Sequence, residues 1–206
     1  MKKAIAIVML AVMCLTVGAC SQPDPYAEMP NPIATVTMTD GRTMRFELKF
    51  DQVRNTVANF TLLANDGFYD GLSFFKVIPG VLIQSGDPLN NGTGDAGHTI
   101  KGEFKANGIQ NELSHVRGTL SMARKKDYNS GSSQFFIMQG TYPEYDGSYA
   151  AFGVAVDSET LDTIDSIASQ PVDGYYSPLR SQVIKTIRVN THGFDLEAVT
   201  TPISEE

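Results

Sequence analysis

The chain has 206 residues, of which 42% are hydrophobic and 19% are charged. This composition favours a packed globular core over global disorder, and the length is typical of one domain with room for a tail. The formal net charge of −7 argues against a nucleic-acid-binding protein, which needs a basic surface to meet the phosphates. We therefore expect no nucleic acid among its partners.

Residues 1–19 have the pattern of a secretory signal peptide. Lys2 and Lys3 form a positively charged start, and residues 4–17 form an apolar run that is short for a transmembrane span. An uncleaved anchor helix is the alternative interpretation. We predict cleavage before Cys20.

The segment Val17-Gly18-Ala19-Cys20 resembles a bacterial lipobox. The resemblance implies diacylglycerol on the Cys20 thiol, and two acyl chains are enough for stable anchoring. Ordinary cleavage beside an incidental cysteine remains the alternative. We therefore predict an extracytoplasmic, membrane-anchored lipoprotein of the cell envelope.

Residues 20–32 contain four prolines and almost no apolar periodicity. Proline-rich segments of this kind are extended and semi-rigid. We predict a lipid-anchored spacer that holds the following domain away from the membrane.

The strand patterns begin at residue 33. Residues 33–38 and 43–50 flank Asp40-Gly41 and predict a β-hairpin. Every second residue from Met44 onward is apolar, so one face of this hairpin should be buried.

Two helices are predicted. Apolar residues recur at helical spacing from Val53 to Leu63, and Gly67 follows where a C-terminal cap belongs. The second helix is predicted over Glu159–Ser169, with apolar residues on one face.

The remaining elements are short and rich in strand-forming residues. They are Leu72–Ile78, Val81–Gln84, Gly118–Ala123, Gln134–Met138, Ala150–Val154 and Val183–Val189. Many strands with only two helices predict an antiparallel sandwich or barrel. We place the domain at residues 33–193 and expect the acidic tail, residues 194–206, to lie on the surface or fray.

Several motifs are too weak to assign a function. Residues 92–97 spell G-x-G-x-x-G, but no strand precedes them and no helix follows, so we predict a loop rather than a dinucleotide site. The three histidines, at positions 98, 115 and 192, are too far apart in the sequence to suggest a metal-binding motif. Ser121 or Ser133 with a histidine and an acid could form a hydrolase triad, but no G-x-S-x-G motif supports this.

Three stretches are more informative when they are taken together. They are FFKVIPGVLIQSGD at 74–87, GTLSMA at 118–123 followed by SSQFFI at 132–137, and DGSYAAFG at 146–153. With residues 55–60 and 68–72, their order and spacing resemble the cyclophilin-type peptidyl-prolyl cis–trans isomerases over about residues 33–193. The resemblance implies a mainly β fold, a closed eight-stranded antiparallel β-barrel capped by two α-helices.

The implied reaction is rotation about the amide bond that precedes proline. Its barrier is roughly 18–20 kcal/mol because the C–N bond has partial double-bond character. The reaction requires no nucleophile, metal or cofactor. An apolar pocket that grips the proline ring and a donor aimed at the prolyl nitrogen would stabilise the twisted state.

The resemblance assigns catalytic roles to Lys76, Gln84 and Phe136. Phe136 would form the floor of the proline pocket, and Gln84 would bond the substrate backbone or order the cationic side chain. The substrate-binding residues that it implies are Phe75, Val81, Leu82, Ala123, Arg124, Gln134, Tyr145 and Tyr149.

The chain departs from the family pattern at several of these positions. Lys76 stands where the family has arginine, and a lysine ammonium lacks the planar fork of a guanidinium. Val81 and Leu82 replace the usual phenylalanine and methionine, Tyr149 stands where histidine is common, and the chain has no tryptophan. We expect reduced isomerase activity.

The alternative to an enzyme is a non-catalytic, chaperone-like module that binds proline-containing peptides. In either case the expected partners are proline-containing polypeptide clients and, through the lipid anchor, a membrane. We expect a monomer.

Overall fold

The computed structural model describes residues 24–203. The predicted signal peptide, the lipobox with Cys20 and the last three residues lie outside the described residues. Within residues 24–203, no helix is both long enough and apolar enough to cross a bilayer.

The described chain is mainly β, with two α-helices. The strands are β1 Ile33–Met38, β2 Thr43–Leu48, β3 Lys76–Ile78, β4 Leu82–Ser85, β5 Thr99–Ile100, β6 Thr119–Met122, β7 Phe135–Met138, β8 Ala150–Ala155, β9 Ile184–Asn190 and β10 Pro202–Ile203. The helices are α1 Arg54–Asn65 and α2 Ser158–Ala168. Both predicted helices and the predicted β1–β2 hairpin are confirmed.

The β1–β2 hairpin shows why the strand alternation was informative. Met44, Phe46 and Leu48 are completely buried, whereas Arg45 between them is exposed. Gly41 in the turn has φ 92°, a left-handed conformation that glycine adopts without steric cost.

Eight strands form one antiparallel sheet in the order β3-β4-β7-β6-β8-β2-β1-β9. The edge strands β3 and β9 share no ladder, and the isolated bridge between Ser73 and Val183 lies outside both of them. The prediction of a closed barrel is therefore wrong. The sheet is an open, strongly curled half-barrel.

The physical reason lies in the segment that contains β3. Residues 72–78 were predicted as one strand, but only Lys76–Ile78 join the sheet. At its outer edge, the backbone N–H of Val77 donates to the carbonyl of Tyr176, 2.8 Å away, in the loop before β9. A loop thus occupies the edge at which β9 would have to pair to close the barrel.

The core lies inside the curl of the sheet and beneath the helices. Phe60 of α1 is completely buried, and its ring centroid lies 5.5 Å from that of Phe135 and 5.1 Å from that of Phe152. On α2, Ile164 and Ile167 are completely buried. Each helix therefore buries its apolar face against the sheet, as its periodicity indicated.

The C-terminal tail is partly docked instead of frayed. Leu196 is only 2% exposed, and Pro202–Ile203 pairs with β5. The sequence did not indicate β5 or β10, because two-residue strands are too short to show an alternating pattern.

Residues 24–32 also differ from the extended spacer that their prolines predicted. The Tyr26 ring packs edge-on against Phe50 at 5.4 Å, and its hydroxyl donates to the carbonyl of Asp195 at 2.8 Å. Arg54 at the start of α1 forms a 2.6 Å ion pair with Asp24. The described part of the predicted spacer therefore lies on the domain.

We expect Tyr26→Ala to lower the free energy of unfolding by about 1–2 kcal/mol, because it removes the aromatic contacts and the hydrogen bond. Urea denaturation measures the change. Tyr175→Ala is the matched control, since the Tyr175 side chain is 86% exposed. Equal denaturation midpoints for the two variants would show that the docked segment contributes no stability.

Candidate active site

The three predicted catalytic residues lie in one row across three neighbouring strands. Lys76 on β3 is paired with Gln84 on β4, which is paired with Phe136 on β7. Directly paired residues project from the same face of a sheet. The alternate residues Val77 and Ile83 belong to the buried core, so this row lies on the outer face of the half-barrel.

A second row on the same face adds an apolar cluster, which is the candidate proline pocket. Leu82, Phe136 and Met138 form a buried cluster that is separate from the main core. The partly buried residues packed around it are Ile78, Val81, Ala123, Tyr142, Tyr145 and Tyr149. An apolar cluster of this kind, with the Lys76 cation in the adjacent row, offers the contacts that a pyrrolidine ring needs.

Tyrosine rings stand beside the pocket floor. Tyr149 packs edge-on against Phe136 with centroids 5.5 Å apart, and Tyr145 lies 5.3 Å from Tyr149. The structure thus brings these two predicted rim residues together with Phe136. It does not bring Phe75 into the cluster, because Phe75 lies beside Gly92.

A chain of amide side chains fixes the polar wall of the site. The Nε2 atom of Gln84 donates to Oε1 of Gln134 at 2.8 Å, and Nε2 of Gln134 donates to the carbonyl of Gly94 at 2.8 Å. Within residues 24–203, the Gln84 side chain forms no hydrogen bond with the Lys76 side chain. Gln84 is therefore oriented by Gln134 and the loop, not by the cation.

The loop that contains Gly94 is held by a buried carboxylate. Asp87 is completely buried and accepts backbone N–H bonds from Leu89 at 2.7 Å, Asn91 at 2.9 Å and Gly94 at 3.1 Å. A Cβ atom on Gly94 would collide with the Asp87 carboxylate. The predicted loop at residues 92–97 is confirmed, and its glycines permit this close approach.

Beneath the pocket lies a polar chain that the sequence analysis did not assign to the site. His115 is 1% exposed and stacks on Phe136, with centroids 5.9 Å apart and planes at 21°. Its Nδ1 atom lies 2.9 Å from Oδ1 of Asp146, and its Nε2 atom lies 2.9 Å from Oγ of Ser121. These contacts support the floor from below.

Ser121, His115 and Asp146 contact one another in the same sequence as the serine, histidine and acid of a hydrolase triad. However, Ser121 has no exposed surface and lies under the pocket floor, so its hydroxyl cannot reach a substrate. Ser133, the other candidate, is also completely buried and donates to the carbonyl of Gly86. The geometry therefore supports a structural role for both serines.

Burial lowers the pKa of His115 from its ordinary value of 6.5, and the hydrogen bond and charge of Asp146 offset part of that effect. Desolvation disfavours the charged imidazolium. His115 is therefore neutral at pH 7 and can stack flat under Phe136 while bonding both of its polar neighbours.

The residues that sequence reasoning missed are Ile78, His115, Tyr142 and Met138. Ile78 and Met138 could have been found, because each lies two residues after a predicted site residue, Lys76 or Phe136, and alternation in a strand puts such residues on one face. His115 left no such signal, since its contacts depend on strands that are distant in sequence. Among residues 24–203, no group of three or more His, Cys, Asp or Glu side chains could hold a metal ion.

Comparison with known proteins decides the family. The model of the cyclophilin type peptidyl-prolyl cis-trans isomerase/CLD family matches residues 33–189. The chain belongs to this family. As a cyclophilin, it is an isomerase of X–Pro peptide bonds, the activity that several of its relatives carry in their names.

The similarity extends over most of each relative. A peptidyl-prolyl cis-trans isomerase of Synechococcus elongatus is 43% identical over 129 residues, which cover 63% of this chain and 84% of the relative. Peptidyl-prolyl cis-trans isomerase B of Bacillus subtilis is 46% identical over 117 residues, which cover 56% and 78%. A crystal structure of a Cryptosporidium parvum cyclophilin has a TM-score of 0.69 and 33% identity, covering 78% of this chain and 98% of that one.

The depressed pKa of His115 predicts how stability depends on pH. As the pH falls below 6.5, His115 becomes protonated in the unfolded chain before it does in the folded protein. The free energy of unfolding therefore falls until His115 is protonated in the folded protein as well. We expect His115→Gln to reduce this dependence in urea denaturation between about pH 5 and pH 7. The control is His192→Gln, at an exposed histidine, which should keep the wild-type dependence. If the free energy of unfolding of His115→Gln depended on pH as strongly as that of the wild type, the depressed pKa of His115 would be contradicted.

Proposed function

We propose that this cyclophilin accelerates X–Pro rotation in exported or unfolded polypeptides, acting as a monomer without a cofactor. The observation that carries the proposal is the row Lys76–Gln84–Phe136 on the outer face, beside an apolar pocket. An outer-face site is open to an extended chain from either side. Clients of many sequences can therefore bind through the proline ring and a few backbone contacts.

The proposed mechanism is differential stabilisation of the twisted amide. Phe136 and Leu82 hold the proline ring, while the ammonium of Lys76, which is paired with Gln84 in the sheet, donates toward the prolyl nitrogen. Drawing on that lone pair weakens amide resonance and lowers the rotational barrier. No bond is formed or broken in this reaction.

We further propose that Lys76 limits the rate. Lys76 is partly exposed, and within residues 24–203 it forms no salt bridge that would fix its direction. An ammonium on a flexible stem presents no fixed fork of donors, unlike a guanidinium. The donor is therefore less preorganised in this chain, and preorganisation is the main source of such electrostatic stabilisation.

We expect Lys76→Arg to raise kcat/KM for a proline peptide, by up to roughly 100-fold if the fork fully restores the donor. Phe136→Leu should lower kcat/KM because the smaller, non-planar side chain leaves the pocket floor incomplete. Exchange spectroscopy by NMR measures both effects.

The matched control is Lys185→Arg, at an exposed lysine on β9, which should leave the rate unchanged. Peptide binding without acceleration in the wild type would instead indicate the non-catalytic, chaperone-like module. Equal rates for the wild type and Lys76→Arg would contradict the proposed role of the lysine.

We also propose that the protein is a lipoprotein of the cell envelope, tethered to a membrane through Cys20. The lipobox-like segment Val17-Gly18-Ala19-Cys20 after an apolar run supports this proposal. Because residues 24–32 contact the domain, the tether would hold the catalytic domain close to the membrane surface, not at the end of a long spacer.

We expect the mature protein to begin at Cys20 and to carry the mass of a diacylglycerol, which intact-mass spectrometry measures. Cys20→Ser should remove the added mass and release the protein from the membrane fraction. Cys14→Ser is the control and should leave the anchoring unchanged, because Cys14 lies within the predicted signal peptide. A mature N-terminus at another residue would contradict the lipoprotein proposal.

A further inference from the structure

Arg124 sits in an aromatic cage beside the proline pocket. Its guanidinium carbon lies 4.7 Å from the ring centroid of Tyr149, 4.9 Å from that of Tyr128 and 5.3 Å from that of Phe104. Guanidinium groups are attracted to aromatic faces at these distances. The three rings therefore fix the position of this cation.

Two backbone carbonyls complete the cage. The Nε atom of Arg124 donates to the carbonyl of Ser148 at 3.0 Å, and Nη1 donates to the carbonyl of Lys125 at 3.1 Å. Within residues 24–203, no hydrogen bond occupies Nη2. The Nη2 amino group of the fixed fork is thus left for another group.

In the part of the chain that the structure describes, Arg124 differs from most other arginines because it lacks an acidic partner. Five arginines of the described chain each form an ion pair with an aspartate; they are Arg42, Arg45, Arg54, Arg117 and Arg188. Arg124 forms none within residues 24–203, although it is only partly exposed. A shielded cation without a counter-ion favours binding of an anion.

Arg124 also lines a cavity that adjoins the catalytic row. Arg124 surrounds this cavity of about 120 Å³ together with Gln84, Gln134 and Ala123, all of them predicted site residues. Lys125 and Asp95 also line the cavity, and the Nζ atom of Lys125 lies 3.4 Å from Oδ2 of Asp95.

Asp95 does not neutralise Arg124. The N–H of Gly97 and the nearby Lys125 keep the pKa of Asp95 below its usual value, so the carboxylate is ionised and paired with Lys125. Among the described residues that line the cavity, Arg124 is therefore the excess positive charge. A local positive charge in a chain of net charge −7 attracts negative groups to this cavity while the rest of the surface repels them.

We infer that Arg124 gives the isomerase a preference for clients that carry an aspartate or glutamate within two or three residues of the proline. A carboxylate accepts charge-assisted hydrogen bonds from a guanidinium fork, which matches its planar geometry. This inference rests on the proposed function, because it names the substrate class of the same groove.

The distances agree with this range of positions. The Tyr149 ring is 4.7 Å from the guanidinium carbon and 5.5 Å from the Phe136 centroid, so one ring separates the cation from the pocket floor. An extended peptide advances about 3.4 Å per residue. An acidic side chain a few residues from the bound proline therefore reaches Arg124.

The test compares paired peptides that differ only in charge. Each pair carries glutamate or glutamine at one position, from three residues before to three residues after a single proline. NMR exchange spectroscopy gives kcat/KM for the purified full chain. At one or more positions we expect the glutamate peptide to be favoured by about three- to tenfold. Arg124→Gln should bring that ratio close to one.

Two further variants make the test specific. Arg124→Lys keeps the charge but loses the fork, so it should retain only part of the preference. Arg180→Gln removes one exposed positive charge away from the groove and should keep both the preference and the rate on the glutamine peptides.

The outcomes separate the inference from the proposed function. If the protein accelerates isomerisation of the glutamine peptides, and the glutamate peptide of every pair reacts at the same rate, only the preference is overturned. A preference that persists in Arg124→Gln would overturn the assignment to Arg124. Failure to accelerate any peptide in the pairs would overturn the proposed function itself.

Discussion

The site depends on the antiparallel register of β3, β4 and β7. This register aligns Lys76, Gln84 and Phe136 on the outer face, while the alternate residues, such as Ile83 and Ile137, fill the core. A slip of one residue would exchange the two faces, burying the polar row and exposing the core. The hydrophobic energy that stabilises the sheet therefore also fixes the geometry of the pocket.

Two buried polar groups then make the groove rigid on opposite sides. Asp87 gathers backbone N–H groups and so positions the loop whose Gly94 carbonyl holds Gln134. His115 and its partners support Phe136 from below. Each carboxylate or imidazole is satisfied by hydrogen bonds, which is the condition under which burial of a polar group is stable. The floor and the polar wall are therefore preorganised before a client binds.

The sequence predicted most of the elements because their apolar residues follow a helical or alternating period. It also indicated most of the site, since Val81, Leu82, Gln84 and Phe136 lie in segments whose combined order resembles one family. Its errors have physical causes. A short β3 and the loop at Tyr176 keep the barrel open, and the prolines of residues 24–32 did not reveal that Tyr26 packs on the domain.

By itself, then, the sequence indicated the strand and helix periods, the acidic balance and some of the residues in the pocket, such as Leu82 and Phe136. Only the tertiary structure decided that the sheet stays open, that His115 lies under the pocket and that Arg124 is caged by rings with no acidic partner among residues 24–203. These features join residues from different strands and loops. Local patterns cannot specify them, because their contacts exist only after the sheet has paired and curled.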